Sequence, residues 1–152
     1  MLDALSRMFT RPEPLNPDDD QMDIAMVQHA MDVLGVLAHW HRPEFHDADR
    51  IPRDGPALLV GNHGLMGADA VFVWHGVYKT TGRVVRGLGD DVLFKTPLLK
   101  DLLHRFGAMH GTPENGLAFL RAGHLVNTYP GGALDALKQR ERHYRLHWEG
   151  AY

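Results

Sequence analysis

Ala57-Leu58-Leu59-Val60-Gly61-Asn62-His63-Gly64-Leu65-Met66-Gly67-Ala68-Asp69 is the stretch whose reading decides the fold of this chain. Ala57–Gly61 is a short unbroken apolar run, which predicts a strand buried on both faces, as in a parallel sheet. Asn62 to Ala68 reads as a glycine-containing loop. Ala70–Thr81 reads as a helix with Val71, Trp74, Val77 and Tyr78 on one side and Gly82 as its stop. His63 then falls just past the carboxyl end of a buried strand, where open α/β sheets place ligands. Asp69 follows six positions later at a helix start. A histidine that takes a proton from an alcohol needs a carboxylate to fix its tautomer and stabilise the imidazolium. A glycine-rich loop lets the two side chains meet. The same spacing allows Asp69 to be a plain cap for the helix from Ala70 and His63 a satisfied loop histidine. Spacing alone leaves both readings open.

Upstream, residues 11–20, RPEPLNPDDD, read as a Pro-rich acidic linker, so the chain divides into an N-terminal segment, 1–20, and a domain, 21–152. Asp18–Asp20 are expected to cap a helix from Met22 to about His41, whose apolar stripe is Ile24, Val27, Met31, Leu34 and Ala38. Pro43 ends it. Met1–Phe9 carries Leu2, Leu5, Met8 and Phe9 near helical spacing. A frayed or self-packed terminus is favoured there over a membrane surface. His39-Trp40-His41 with His46, Asp47 and Asp49 has ligand types suited to zinc. H-x-H side chains on a helix diverge by about 200°, however, so no metal site is expected.

Downstream, Arg83–Arg86 is a second candidate strand. Thr96-Pro97 opens a helix whose buried side is Leu98, Leu99, Leu102, Leu103 and Phe106, closed by Gly107. Thr112-Pro113-Glu114 repeats the device for a helix through Ala122. Gly107–Asn115 is a short loop or strand between these helices with no chemistry of its own. His124–Tyr129 is a third strand, running into Pro130-Gly131-Gly132, where backbone N–H groups could approach a ligand oxygen or a thioester carbonyl. Taken alone, that segment reads first as an ordinary tight strand exit. The alternation predicts an α/β fold with a mainly parallel central sheet flanked by helices.

Composition narrows the chemistry. The 152 residues, 44% hydrophobic and 23% charged, suit one folded domain. Sixteen Lys and Arg against 19 Asp and Glu leave a formal charge of −3, which argues against sequence-independent nucleic-acid binding. There is no cysteine, and Ser6 is the single serine, so thiol nucleophiles and a serine nucleophile elbow are excluded. Eleven histidines leave imidazole as the natural reactive group. No stretch approaches the ~18 apolar residues of a membrane span, and the N-terminus lacks a secretory leader pattern. The default address is cytoplasmic, with peripheral contact at the inner face of a membrane as a secondary expectation.

Four blocks in order carry a resemblance: Asn62-His63 through Asp69, then Lys95-Thr96-Pro97, then Gly107-Ala108-Met109-His110-Gly111, then Tyr129-Pro130-Gly131-Gly132. Over about residues 35–149 the chain resembles the phospholipid/glycerol acyltransferases, and within them the branch related to mono- and diacylglycerol acyltransferases. The resemblance implies that His63 is a general base and Asp69 its orienting partner. It implies that Asn62, Gly64, Lys95, Gly111, Tyr129, Pro130, Gly131 and Gly132 line the substrates. The co-substrate implied is acyl-CoA or acyl-carrier protein, the acceptor a lipid hydroxyl, with no further cofactor. Departures are visible. Five residues, Gly64–Ala68, separate His63 from Asp69, one more than the family's usual spacing. Ala133 and Leu134 stand where phosphate-handling members carry an arginine, and Thr112 and Pro113 stand near where the second block has one. A neutral acceptor fits better than a glycerol phosphate.

Family members usually run roughly a hundred residues beyond the third block, so the resemblance makes 21–152 the N-terminal part of a larger domain. An edge strand and apolar helix faces left uncovered, with self-association or low stability and weak or absent acyl transfer, are the expected consequences. Two other functions compete: an inactive lipid- or acyl-binding remnant of the fold, and a metal-dependent hydrolase built on His39, His41 and His46.

Overall fold

The structure, a computed structural model, describes residues 16–17, 20–64, 67–95 and 97–137. The Met1–Phe9 segment, Asp18, Leu65, Met66, the Thr96 cap and the chain after residue 137 lie outside the described residues. Helix α1 spans Ile24–His41, strand β1 Ala57–Val60 and helix α2 Asp69–Thr81. Strand β2 spans Val85–Gly89, and after a 3-10 turn at Asp91–Phe94 comes helix α3, Pro97–Arg105. Strand β3 is Ala108–His110, helix α4 Pro113–Arg121, strand β4 Leu125–Thr128 and helix α5 Gly132–Ala136.

The four strands form one sheet in the order β1-β4-β2-β3, with every neighbouring pair parallel. The α/β reading holds, and all four strand exits open on one edge. Opposite faces of the sheet feed two clusters. Leu125 and Val85 pack with Val77 of α2, joined by Ala57, Leu59 and Trp74. Val126 and Met109 pack with Phe119 of α4, joined by Leu88. Trp74 lies so close to β2 that a Cβ at Gly87 would meet its ring at 2.2 Å, so only glycine fits there.

Several expectations are corrected. β1 is not buried on both faces: among the described residues it is an edge strand, with Leu58 49% and Val60 54% exposed. Leu58 pairs with Val126 and so lies on the α4 face, but the α4 cluster is built on β3 and β4 and does not include β1. The second strand is Val85–Gly89 and not Arg83–Arg86, because Arg83 points its guanidinium at the Pro52 and Gly123 carbonyls. Asp23, not Asp18–Asp20, caps α1, accepting from the Met26 N–H at 3.0 Å. Asp20 instead pairs with the buried Arg86. On α1 the buried stripe shrinks to Val27 and Met31, with Ile24 exposed. On α2 the buried residues are His75, Gly76 and Val77, with Val71 exposed. On α3 the buried residue is His104, while Leu98, Leu99 and Leu102 are exposed. His104 turns inward because its Nδ1 lies 3.2 Å from the Ala108 carbonyl and its ring packs on Phe94. Gly107–Asn115 contains a full fourth strand, β3, paired with β2.

Candidate active site

The site is built at the exits of β1 and β4, which are adjacent strands. The last ladder bond between them runs from the Gly61 N–H to the Thr128 carbonyl at 3.1 Å. Beyond it the β1 exit turns through Asn62, His63 and Gly64. Gly67, at φ +69°, brings the chain close beside the His63 ring: a Cβ there would lie 3.4 Å from His63 Cε1. This is the positive-φ turn that the glycine-rich loop needs.

Asp69 does not cap α2. The cap position is Ala68, which makes no side-chain cap bond, and Asp69 is the first helical residue. Its carboxylate points back across the loop, accepting from the Gly64 N–H at 3.0 Å. Both of its oxygens lie 3.3 Å from His63 Nδ1. The two side chains are 16% and 26% exposed, enclosed enough to strengthen the pair yet open to a substrate. The five-residue spacing therefore still allows the pair to meet.

The β4 exit grips the same histidine. Tyr129 stacks on the His63 ring, and a Cβ at Gly61 would come within 2.9 Å of Tyr129 Cε1. The Tyr129 hydroxyl is buried beside Asp69 and Asn127 without a well-formed hydrogen bond to either among the described residues. Burial pushes its ionisation above the ordinary tyrosine range, and the Asp69 charge pushes the same way. Asn127, itself buried, accepts from Trp74 Nε1 at 3.0 Å and donates to the Leu59 carbonyl at 3.1 Å, locking β4 to β1 and α2 under the site. The His63 backbone N–H donates to the carboxylate of Asp135 on α5.

Asn62, His63, Gly64, Asp69, Tyr129 and Gly131 are thus brought together; Pro130 and Gly132 belong to the same β4 exit. Asn62 Nδ2 donates to the His63 carbonyl at 3.4 Å. The Gly132 N–H, one of the backbone donors expected to face a ligand, is engaged by the Tyr129 carbonyl at 2.9 Å. Lys95 and Gly111 stand apart. Lys95 is an exposed residue ending the 3-10 turn after β2, and Gly111 leaves β3 with its N–H on the Gly89 carbonyl at 2.8 Å. At about 4.8 Å per strand, β2 and β3 lie about 10 and 14 Å from β1.

Two features escaped the sequence. Asp135 carries the acidic residue after Tyr129-Pro130-Gly131-Gly132, but nothing in the spacing ties it to His63, 72 positions away. At the β3 exit, His110 Nδ1 lies 2.9 Å from Asp91 and its ring stacks on Phe94. The histidines near the end of α1 do not converge. Among the described residues no group of three or more His, Cys, Asp or Glu could hold a metal. Nor, among the described residues, is any helix long and apolar enough to cross a membrane.

The acyltransferase family model matches residues 42–148. A human protein named "DGAT1/2-independent enzyme synthesizing storage lipids" is 38% identical over 114 residues, covering 75% of this chain and 35% of its own length. An uncharacterised protein of Mycobacterium tuberculosis is 32% identical, covering 70% of this chain and 31% of its own. "Phytyl ester synthase 1, chloroplastic" of Arabidopsis thaliana is 34% identical over 64% of this chain and 15% of its own length. The chain spans about a third of the length of the first of these relatives. No solved structure matches. With its His–Asp pair at the exit of β1 and its match over residues 42–148, this chain belongs to the acyltransferase family.

Proposed function

We propose that this chain transfers a fatty acyl group from a thioester donor, acyl-CoA or acyl-carrier protein, to the hydroxyl of a lipid alcohol. The observation that carries this reading is the His63 imidazole with Nδ1 turned to the Asp69 carboxylate at an α/β strand exit. With a carboxylate at Nδ1, that nitrogen holds the proton and Nε2 is the accepting atom. The acceptor hydroxyl gives its proton to Nε2 while its oxygen attacks the thioester carbonyl. The tetrahedral intermediate then expels the thiolate, which recovers the proton from the imidazolium, leaving an ester and a free thiol. Asp69 stabilises the imidazolium between these two events. No acyl-enzyme is required, in keeping with a chain that has no cysteine and a single serine, Ser6. The names of the relatives, which make storage lipids or phytyl esters, support a lipid acceptor.

Free-thiol release from acyl-CoA, with monoacylglycerol and long-chain alcohols as acceptors, tests this on wild type and His63→Ala. Turnover should fall by about 10²–10⁴-fold in a variant that still folds. A folded His63→Ala protein with wild-type turnover overturns the mechanism. Acyl-CoA that raises the melting temperature of wild type without turnover favours the acyl-binding alternative.

A further inference from the structure

We infer that Asp135 is a positioning residue that sets the backbone of His63 and so aims its imidazole; the inference rests on the reading of His63 as the base. Helix α5 is built the wrong way round for a stabilising element. Its one buried side chain is Asp135, 1% exposed, while Leu134 and Leu137 beside it are 65% and 71% exposed. A five-residue helix has little stability of its own and normally gains it by turning apolar residues inward. Burying a carboxylate is costly unless it is well bonded, and an apolar residue at the same place would usually serve stability as well or better. The buried group was therefore placed for what it touches.

Among the groups it touches is the His63 N–H, which donates to its carboxylate. That donor lies two residues past the last β1–β4 ladder bond, where the strands no longer fix the chain. A buried or half-buried N–H needs an acceptor, and a carboxylate supplies a stronger one than a neutral group. Space for it is cleared by Gly131, where a Cβ would lie 2.4 Å from the Asp135 Cβ. Three contacts thus bear on His63: Asp135 on its N–H, Tyr129 on its ring face, and Asp69 on Nδ1. Two of these three come from the β4 exit, which the family resemblance makes part of the substrate wall. That arrangement couples the wall to the base.

The test compares Asp135→Ala with Asp135→Asn, whose amide oxygen keeps an acceptor of the same shape. Two NMR signals are read without any substrate: the His63 amide proton, and the imidazole nitrogen shifts that report which ring nitrogen holds the proton. Asp135→Ala should move the amide proton upfield, speed its exchange and mix the two tautomers, whereas Asp135→Asn should keep both signals close to wild type. In the acyl-transfer assay, Asp135→Ala should lose about 10²-fold in kcat, the effect of misplacing a reacting group by about 1 Å, with KM little changed. Asp135→Asn should recover most of it. Should Asp135→Ala fail to fold, Gly131→Ala, which displaces the carboxylate without removing it, is read by the same two signals. Signals unmoved in the folded variant overturn the contact. Signals that move while kcat stays at the wild-type value overturn the positioning role. A wild type with no turnover overturns acyl transfer by this chain alone, and the tautomer signal then still decides whether Asp135 aims the ring.

Discussion

The imidazole of His63 lies flat against the ring of Tyr129, centroids 3.7 Å apart and planes 11° from parallel. The two residues stand 66 positions apart in sequence and meet because parallel pairing puts the exits of β1 and β4 side by side. An aromatic face under the imidazole limits its ring rotation.

The ring, and not the hydroxyl, is expected to matter for turnover. Tyr129→Phe keeps the stack and removes a buried hydroxyl that lacks a well-formed hydrogen bond, so activity should persist and stability should hold or rise by about 1 kcal/mol. Tyr129→Leu loses the stack, and turnover should fall by up to about tenfold. The two variants also differ from wild type in base. The folded protein holds the Tyr129 proton to higher pH than the unfolded chain, so wild type loses stability as pH rises past 10.0, the ordinary tyrosine value. Denaturation at pH 8 and at pH 10.5 or above, compared with Tyr129→Phe, measures this; equal alkaline losses in both proteins would refute it.

His75, on α2, is buried with both ring nitrogens unpartnered among the described residues. Burial holds its ionisation below the ordinary value of 6.5, with Lys79 acting the same way. The unfolded chain takes up a proton below that value and the folded chain resists it, so this contribution to stability is present above pH 6.5 and lost as pH falls. His75→Leu should raise stability by about 1–2 kcal/mol and flatten part of the acid limb of a stability–pH curve. His104 and His124, depressed by burial in the same direction, keep the rest of that limb. An acid limb as steep in His75→Leu as in wild type would contradict the assignment.

An acceptor phosphate should bring no gain in rate. Arg83 is committed to two carbonyls and Arg86 to Asp20, and both lie toward the amino ends of the strands, opposite His63. Among Arg83, Arg86 and Lys95, Lys95 alone stands at the carboxyl edge, and it lies beyond β4 from His63. Parallel assays with monoacylglycerol and lysophosphatidate should therefore favour the neutral acceptor. A strong preference for lysophosphatidate would refute this, and Lys95→Ala would show whether that side chain is responsible.

The sequence by itself determined the α/β class, because short apolar runs between capped helices admit few other arrangements. Thr112 does accept from the Asn115 N–H, and Gly82 and Gly107 do end their helices at positive φ. It also isolated His63 and Asp69, since a histidine past a strand and an aspartate at a helix start are local patterns. Tertiary structure alone decided that Asp69 faces His63 instead of capping α2, because an aspartate can serve either role from one position and only the path of the loop selects. It decided as well that β1 is an edge strand among the described residues, since an apolar run records that a strand is buried somewhere but not which neighbour covers each face. The grip of Tyr129 and Asp135 on His63 belongs to the same class. Pairing of β1 with β4 joins segments more than sixty residues apart, and no local propensity encodes a contact that exists only once the sheet has formed.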